Sequence, residues 1–291
     1  MRKAIKITLV VVGSLAGALV LAVLVLNGIS IVRQHKTFAV APELLALTAA
    51  PDTAHGRHLV AMLGCQGCHT ANFGGQALAE QPGMGRIVAR NLTRGRGGVG
   101  ATFKTADFVR AIRYGVGPDS LSLIVMPSMA YEHLSDADLA SVIAILQDAP
   151  PVDRELPATH VGPLARVLSV LTPYPLLVAR YTEKNAPRTK PPETDTLAYG
   201  TYLARTMGCN ECHGHALEGN PGAHSPNLTR GGPTGAWSEA DFTRALREGK
   251  RPDGTAISDQ MPWKEFGNMS DAELHAVWVF VRSVPVVAPA K

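Results

Sequence analysis

The most constraining feature of this sequence is a five-residue motif that occurs twice. Cys65-Gln66-Gly67-Cys68-His69 and Cys209-Asn210-Glu211-Cys212-His213 both have the form C-x-x-C-H. The chain contains four cysteines, and the two motifs use all of them, so none remains for a structural disulfide. The 291 residues are enough for two domains of ordinary size, each built around one copy of the motif.

Two cysteines three positions apart, followed directly by a histidine, are the attachment signature of c-type heme. The cysteines form thioether bonds to the porphyrin, and the histidine lies beneath the iron as its proximal ligand. A zinc site or a thiol redox pair would also use C-x-x-C, but neither explains the histidine that follows in both copies. We therefore predict two covalently bound heme c groups. The predicted attachment residues are Cys65, Cys68, Cys209 and Cys212, and the predicted proximal iron ligands are His69 and His213.

The positive charge of the chain lies at its N-terminal end. The formal net charge is +4, whereas residues 1–36 carry five basic side chains and no acidic one, so the rest of the chain has a net charge of −1. A near-neutral body lacks the basic surface that nucleic acid requires. The composition therefore predicts no nucleic-acid partner.

Residues 1–36 are predicted to form a cytoplasmic tip and a transmembrane anchor. No charged residue occurs from Ile7 to Val32, and Ile7–Leu26 alone supplies the ~20 apolar residues that span a bilayer. A cleaved signal peptide is the alternative, but its apolar region usually has only ~7–15 residues. Because c-type heme is attached outside the cytoplasm, we expect a single-pass protein of the bacterial inner membrane with its soluble domains in the periplasm.

Several other motifs recur in the same order after each C-x-x-C-H, which indicates an internal repeat. The predicted domains are residues 52–150 and 196–291, and the Pro-rich segment 151–195 between them is predicted to be a linker or strap. Helical periodicity and serine caps before apolar runs predict an all-α fold for both domains. The recurring pairs are Asn91-Leu-Thr-Arg-Gly with Asn227-Leu-Thr-Arg-Gly, Asp107-Phe with Asp241-Phe, Met126-Pro with Met261-Pro, and Ser135-Asp-Ala with Ser270-Asp-Ala.

Methionine is the predicted sixth ligand of each iron, because it raises the reduction potential of an electron-transfer heme. Met126 and Met129 are both plausible in the first repeat, but Met126 aligns with Met261, whereas Met129 aligns with Lys264. Methionines that only fill the core are one alternative. Bis-histidine ligation is another, but no histidine outside the motifs recurs at matching positions. We predict Met126 and Met261 as the distal ligands.

The Asn-Leu-Thr copies are predicted to lie near the heme groups. The side chains of Asn91 and Asn227 could hold a loop edge or bind a propionate, and the guanidinium groups of Arg94 and Arg230 suit carboxylates. Both arginines could equally be solvated surface residues. Trp237 aligns with Phe103 and could form a wall of the heme pocket or simply pack in the core.

These motifs together resemble class I cytochrome c domains. More narrowly, the chain is similar to the multiheme cytochrome c subunits of membrane-bound alcohol, aldehyde and sugar-acid dehydrogenases. The resemblance covers about two-thirds of the chain, and the second repeat carries it most fully. The first repeat departs in having Lys104 at a helix cap and a glycine-containing insertion before Asn91. The dehydrogenase subunits usually carry three hemes, whereas this chain has motifs for two.

The resemblance implies two tandem class I cytochrome c domains behind a transmembrane helix, with His69/Met126 and His213/Met261 as axial pairs. The expected function is a relay of single electrons from a periplasmic or membrane dehydrogenase or quinol donor to an acceptor such as a terminal oxidase or another cytochrome. The alternative is a diheme enzyme, a peroxidase or a thiosulfate dehydrogenase, which would need an open or unusual distal position. A matched methionine in both repeats argues against that alternative.

Overall fold

A computed structural model describes residues 2–172 and 176–287 of the chain. These residues form a mostly helical structure that also contains one small sheet. The α-helices are α1 Arg2–Gln34, α2 Thr53–Met62, α3 Cys65–His69, α4 Thr105–Tyr114, α5 Ser128–Tyr131, α6 Asp136–Asp148, α7 Pro163–Leu171, α8 Thr196–Thr206, α9 Cys209–His213, α10 Glu239–Glu248, α11 Trp263–Phe266 and α12 Asp271–Ser283. The strands are β1 Gln76–Gln81, β2 Gly85–Ala89 and β3 His160–Val161.

Helix α1 is long and apolar enough to cross a membrane, by length and composition. It has 33 residues, which is about 50 Å at 1.5 Å per residue. Its apolar side chains from Ile5 to Leu24 are exposed to the surroundings rather than packed in the protein core. This is the only such helix among the described residues, and it matches the segment that the sequence predicted as an anchor.

The same order of five helices occurs before and after the central connecting segment. Helices α2 to α6 form the first set, and α8 to α12 form the second set with nearly equal helix lengths. In each set the first helix packs against the last: α2 against α6, and α8 against α12. The two sets correspond to the repeats that the motifs predicted, and we call them repeat 1 and repeat 2.

A glycine stands where the first and last helices of each repeat cross. A Cβ atom on Gly56 of α2 would overlap the carbonyl oxygen of Ser141 in α6. A Cβ atom on Gly200 of α8 would overlap the carbonyl oxygen of Ala276 in α12. Because only hydrogen fits at these two positions, the glycines set how closely the helix pairs approach each other.

Serine caps start three of the helices, as the sequence predicted. The hydroxyl groups of Ser135, Ser238 and Ser270 accept hydrogen bonds from backbone N–H groups in the first turns of α6, α10 and α12. Helix α4 starts at the lysine that departs from this pattern. There the Asp107 carboxylate accepts a hydrogen bond of 2.9 Å from the backbone N–H of Lys104, so half of the capping box is kept.

The structure adds a three-stranded antiparallel sheet to the helices that the sequence predicted. Strands β1 and β2 form a hairpin from the insertion before Asn91, and β3 from the connecting segment pairs with β2. Gly85 has a φ of 95°, and a Cβ there would overlap the carbonyl oxygen of His160. The glycines that marked the insertion are thus needed for a tight strand pairing, which helical periodicity could not reveal.

The connecting segment runs along repeat 1 instead of forming a free tether. The backbone N–H of Val178 donates to the carbonyl of Leu123, and the N–H of Glu183 donates to the buried Glu132 carboxylate. Because burial leaves that carboxylate poorly solvated, the pKa of Glu132 rises to about 8. Further on, the Lys190 ammonium lies 3.9 Å from the carboxylate of Asp138 in α6.

The two repeats meet through buried carboxylates at the starts of their last helices. Asp138 of α6 is 2 % exposed. Its carboxylate accepts a hydrogen bond of 2.5 Å from the Tyr202 hydroxyl of repeat 2 and lies 2.9 Å from Nε2 of His55 in repeat 1. Burial raises the pKa of Asp138, but the bonds from His55 and Tyr202 outweigh it, so the pKa falls below its usual value.

The second carboxylate makes the reciprocal set of contacts. Glu273 occupies the same place in α12 as Asp138 in α6. Its carboxylate lies 2.8 Å from Nε2 of His58 in repeat 1, and it accepts a hydrogen bond of 3.4 Å from Tyr199 in repeat 2. Each acid therefore bonds one side chain of its own repeat and one of the other. The two repeats are related by an approximate two-fold axis, as in a symmetric dimer.

Candidate functional site

Each C-x-x-C-H motif forms one short helix that begins at a left-handed glycine. Gly64 precedes α3 with a φ of 74°, and Gly208 precedes α9 with a φ of 75°. Residues with a Cβ atom rarely adopt this conformation, whereas glycine adopts it readily. The chain therefore turns sharply after α2 and α8 and presents both cysteines and the histidine within one helical turn. The sequence analysis did not single out these two glycines.

The two motif histidines are held in the same way. Nδ1 of His69 lies 2.8 Å from the carbonyl oxygen of Arg90, and Nδ1 of His213 lies 2.8 Å from that of Pro226. A hydrogen bond donated by Nδ1 fixes the ring and leaves Nε2 as the free donor for a metal. Burial lowers the pKa of both histidines, which favours the neutral imidazole that a metal requires.

The four motif cysteines form no disulfide with one another. Burial raises the pKa of Cys65 and Cys209 to about 12, which is opposite to the lowered pKa of a redox-active dithiol. Within residues 2–172 and 176–287, no three His, Cys, Asp or Glu side chains form a cluster that could hold a metal ion. The raised pKa of these two thiols therefore does not favour the thiol redox pair.

The Met-Pro pairs lie at the same structural position in both repeats. Pro127 precedes α5 with φ −79° and ψ 49°, and Pro262 precedes α11 with φ −78° and ψ 52°. Met126 and Met261 therefore enter equivalent turns, and both side chains are partly buried against the core. Met129 lies inside α5, at the place that Lys264 takes in α11. The structure thus pairs Met126 with Met261, as the sequence alignment did.

The donor set and the surrounding surface fit a c-type heme. Each repeat provides two cysteines outside any disulfide, a histidine whose Nδ1 is held by a backbone carbonyl, and a methionine at a turn. Apolar side chains at matching positions of the two repeats are only partly covered by the rest of the protein. Such a surface suits the face of a porphyrin. These matched residues are Cys65 and Cys209, Leu92 and Leu228, and Met126 and Met261.

The side chains of the first Asn-Leu-Thr motif bind the backbone. Asn91 is 1 % exposed, and its amide nitrogen donates a hydrogen bond of 2.7 Å to the carbonyl of Val152. Its amide oxygen accepts hydrogen bonds from the backbone and side chain of Thr93. The Thr93 hydroxyl accepts a hydrogen bond from the backbone N–H of Val152. The motif therefore clamps the chain that leaves α6.

The second motif forms the same clamp on the chain that leaves α12. Asn227 donates to the carbonyl of Val287 at 2.9 Å, and its oxygen accepts hydrogen bonds from Thr229. Holding a chain edge is one of the two roles that the sequence suggested for this motif. The arginines that follow, Arg94 and Arg230, are exposed. Contact of any of these asparagines and arginines with heme stays a prediction.

Trp237 takes the same place in repeat 2 as Phe103 in repeat 1. Trp237 directly precedes Ser238, the N-cap of α10, and Phe103 directly precedes Lys104, the N-cap of α4. The Trp237 side chain is half-buried, and its backbone N–H donates to the carbonyl of Thr234. A heme-wall role for Trp237 therefore remains a prediction.

The attachment turn of each repeat contacts the helix after the Met-Pro pair of the other repeat. The side chain of Glu265 in α11 lies against Gly64 and Gly67 of the first motif. The Cβ atom of Ala130 in α5 lies 3.3 Å from the Cβ position of Gly208, before the second motif. Because Ala130 and Glu265 occupy matching positions, the contact obeys the same approximate two-fold axis as the buried acids.

In each C-x-x-C-H motif one glutamate lies beside the second cysteine. The other repeat supplies this glutamate in the first motif, whereas in the second it belongs to the motif itself. In the first motif Gly67 has no side chain and leaves room for Glu265 of repeat 2. A carboxylate oxygen of Glu265 lies 2.9 Å from the point that a Cβ atom on Gly67 would occupy. In the second motif that position is Glu211, and the opposing residue is the small Ala130. The first site thus combines Gly67 of its motif with Glu265 of the other repeat. The second site combines Glu211 of its motif with Ala130 of the other repeat. Sequence reasoning missed this exchange because its partners are far apart in the chain.

Comparison with known proteins identifies the class of the second repeat. Residues 196–281 match the family described as cytochrome C oxidase, cbb3-type, subunit III. This stretch contains helices α8 to α12 with the second C-x-x-C-H motif and Met261. The second repeat is therefore a cytochrome c domain, and the resemblance to cytochrome c that the sequence predicted is confirmed. Covalently bound heme c is the cofactor of this class, and electron transfer is its function.

The chain is similar over most of its length to cytochrome subunits of dehydrogenases. It is 28 % identical to the fructose dehydrogenase cytochrome subunit of Gluconobacter japonicus, over 82 % of this chain and 54 % of that protein. It is 29 % identical to the gluconate 2-dehydrogenase cytochrome c subunit of Pantoea cypripedii, over 76 % of this chain and 54 % of that protein. The chain thus spans about half the length of these relatives.

A relative of similar length is named for its heme content. The chain is 26 % identical to a protein of Cereibacter sphaeroides named diheme cytochrome c-type. That match covers 84 % of this chain and 90 % of the relative. The chain and this relative are therefore similar along nearly their whole lengths, including both C-x-x-C-H motifs of this chain.

Proposed function

We propose that this protein is a membrane-anchored diheme cytochrome c that relays single electrons. Two tandem cytochrome c domains, residues 52–150 and 196–291, would each hold one heme c, and residues 151–195 would join them as a strap. The observation that carries the proposal is the recurrence of the same five-helix order with C-x-x-C-H and Met-Pro at matching places. Relatives named as cytochrome subunits and as a diheme cytochrome support it.

The proposed roles follow from the geometry of each repeat. Cys65, Cys68 and their counterparts in repeat 2 would attach the cofactor, and the histidine fixed by a backbone carbonyl would ligate iron through Nε2. Met126 and Met261 would be the distal ligands, entering from the turns before α5 and α11. When bound, heme c supplies a one-electron couple, and a methionine ligand raises its reduction potential.

The contact between the repeats supports transfer within one molecule. Each attachment turn lies against the helix that follows the distal methionine of the other repeat, through Gly64 with Glu265 and Gly208 with Ala130. Buried hydrogen bonds at Asp138 and Glu273 hold the repeats in this relation. A fixed relation between the two sites keeps the electron-transfer distance constant, which a flexible tether would not do.

The proposed partners are redox proteins on either side of the relay. The donor would be a dehydrogenase, as the names of the relatives suggest, or a quinol-oxidising complex in the membrane. The acceptor would be a terminal oxidase or another cytochrome. Helix α1 would anchor the protein in the bacterial inner membrane, with the soluble domains in the periplasm, where c-type heme is attached.

The two interfacial glutamates should each lower the reduction potential of one site. A carboxylate beside the cofactor stabilises the oxidised, more positive iron, so its removal should raise the potential. We expect Glu265→Gln to raise the potential of the repeat 1 site and Glu211→Gln to raise that of the repeat 2 site. A change on the order of 50 mV is expected for each, since 1.4 kcal/mol corresponds to 59 mV for one electron.

Each glutamate variant is the control for the other in an optical redox titration. Met126→Ala and Met261→Ala each remove one predicted iron ligand, so they assign each midpoint potential to its repeat. If Glu265→Gln and Glu211→Gln each shifted the midpoint potentials of the two sites equally, a site-specific role for the two carboxylates would be contradicted. Unchanged midpoints would mean that neither carboxylate acts on the cofactor.

An optical redox titration of the purified full-length protein, with a chemical assay of heme content, tests the proposed function. We expect two hemes per chain, both of high potential, and both with the weak far-red band of methionine ligation in the oxidised state. One heme of low potential without that band would mean an open or differently ligated iron. That outcome would favour the diheme enzyme of the peroxidase or thiosulfate dehydrogenase type.

A further inference from the structure

Helix α7 of the connecting segment packs on the C-terminal turns of the anchor helix α1. The hydroxyl oxygens of Ser30 in α1 and Ser169 in α7 lie 3.0 Å apart, and the amide of Gln34 donates to the Ser30 hydroxyl. Ser30 is 2 % exposed, whereas the side chains of α1 from Lys3 to Val25 are exposed. The end of α1 is therefore fixed to α7 and not attached by a loose spacer.

The face of α7 that points away from the protein is apolar. Leu164, Leu168 and Leu171 are 50 %, 39 % and 64 % exposed. Their spacing of four and three residues places them on one side of the helix. Helix α7 contains no acidic residue, and its one basic residue, Arg166, is half-buried. Three exposed leucines in a row on a short helix are unusual for a surface that faces only water.

The β1–β2 hairpin extends this apolar surface. The backbone N–H of Leu164 donates a hydrogen bond of 2.9 Å to the carbonyl of Gly83 in the hairpin turn. Next to that turn Met84 is 36 % exposed, and Leu78 on β1 is 39 % exposed. Pairing of β3 with β2 holds the hairpin against the start of α7. Met84 lies next to the start of α7, because its carbonyl accepts a hydrogen bond of 2.9 Å from the N–H of Gly162. Leu78 lies further along the hairpin, which also carries the Glu80–Arg86 ion pair.

The position of this surface along α1 corresponds to the edge of a bilayer. Residues Ile7–Leu26 account for the ~30 Å of a hydrocarbon core, and Ser30 lies about 6 Å further along the helix axis than Leu26. An amphipathic helix at an interface buries its apolar face ~5–10 Å into the boundary between headgroups and acyl chains. Ser30 therefore lies in the polar headgroup layer, which is ~5–7 Å deep on each side of the hydrocarbon core, and the contact with Ser169 holds α7 next to that layer. Arg33 in the last turn of α1 and Lys36 just after the helix complement anionic headgroups.

We propose that the leucine face of α7, together with the hairpin tip, inserts into the outer surface of the bilayer that α1 crosses. The occupant of this surface is lipid, and the inference rests on the anchoring role proposed for α1. Helix α7 would then be a second membrane contact that fixes the orientation of the soluble domains. A single spanning helix leaves a body free to rotate, whereas a second contact holds repeat 1 at the membrane surface.

Site-directed spin labelling of the full-length, heme-loaded protein in lipid nanodiscs tests the proposal. The label is placed at Leu168→Cys, with Leu197→Cys on α8 as the matched control, because Leu197 is also an exposed leucine at 44 %. A label at Leu15→Cys on α1 reports the anchor separately. Collisions of each label with oxygen, which partitions into lipid, are compared with collisions with a water-soluble nickel chelate.

We expect the labels at positions 15 and 168 to prefer oxygen and the label at 197 to prefer the nickel chelate. A label at 168 that prefers the chelate, with position 15 still in lipid, would overturn the inference and leave the anchor intact. Such a surface would be free for a protein partner. Protection of position 168 from both reagents would also overturn it and would indicate a second copy of the chain. A label at 15 in water would refute the proposed anchoring itself.

Replacing the leucine face gives a second measurement that does not depend on a label. Leu164→Gln, Leu168→Gln and Leu171→Gln together should remove the second contact without altering the core, because all three side chains are exposed. We expect protease access to the segment 163–172 in nanodiscs to rise severalfold above the unmodified protein. Equal cleavage of both proteins, with heme content unchanged, would contradict membrane burial of this face.

Discussion

Met261→Ala is expected to lower the reduction potential of one heme by roughly 0.1 V or more and leave the other nearly unchanged. Loss of the thioether ligand removes the stabilisation of reduced iron that methionine provides. Met261 lies in the turn before α11, in the cytochrome c domain of residues 196–281. The oxidised protein should also lose about half of its far-red band. An optical redox titration of the full-length protein measures both effects.

The chain contains its own controls for this experiment. Met126→Ala should act in the same way on the other heme, because Met126 and Met261 enter matching turns. Met129→Ala should change neither potential, because Met129 lies within α5 at the position of Lys264 in α11. Unaltered spectra and potentials of both hemes in Met261→Ala would show that the ligand assignment is wrong. A shift with Met129→Ala would move the assignment in repeat 1 by three residues.

Gly200→Ala is expected to destabilise the second cytochrome domain by about 3 kcal/mol or more. The added methyl group would overlap the carbonyl oxygen of Ala276, which belongs to the hydrogen-bonded backbone of α12 and cannot turn away as a side chain could. The two helices must therefore separate, and the buried residues between them lose contact. Tyr199, Leu203 and Leu274 are among those residues. Thermal unfolding of the detergent-solubilised protein, followed by heme absorbance, measures the loss.

A glycine without neighbours provides the matched control for this prediction. Gly28 also lies within a helix, but a Cβ there meets nothing within 4 Å. Gly28→Ala should leave the unfolding of the soluble domains unchanged. Gly56→Ala should destabilise the first domain, since the same crossing recurs there. A Gly200→Ala protein as stable as the unmodified one would mean that α8 and α12 do not cross as described.

The two C-x-x-C-H motifs could be recognised from the sequence because the chemistry predicted for them depends on local spacing. The C-x-x-C-H motifs lie within single helices, α3 and α9, so the order of residues alone brings cysteines and histidine together. The Met-Pro pairs were found because they recur at matching places in the two repeats. Such a recurrence can be seen in the sequence even though the pairs lie far from the C-x-x-C-H motifs. The serine caps of α6, α10 and α12 were also predictable, since a cap acts within one helical turn.

The sheet and the role of the Asn-Leu-Thr motifs depended on partners elsewhere in the chain. Strand β3 comes from the connecting segment and pairs with β2 of the insertion, a contact that no local pattern encodes. The acceptors of Asn91 and Asn227 are backbone carbonyls of Val152 and Val287, which any residue could supply. Because backbone groups are the same at every position, sequence gives no signal for such bonds.

The sequence by itself predicted the resemblance to cytochrome c, the repeated order of motifs, the helical character and the apolar N-terminal segment. Each of these follows from residues close together in the chain or from a pattern that occurs twice. Only the tertiary structure decided how the repeats face each other, with Asp138 and Glu273 bonded across the contact and Glu265 against the first motif. It also decided where α7 lies, because the partner of an exposed apolar face is set by packing in three dimensions.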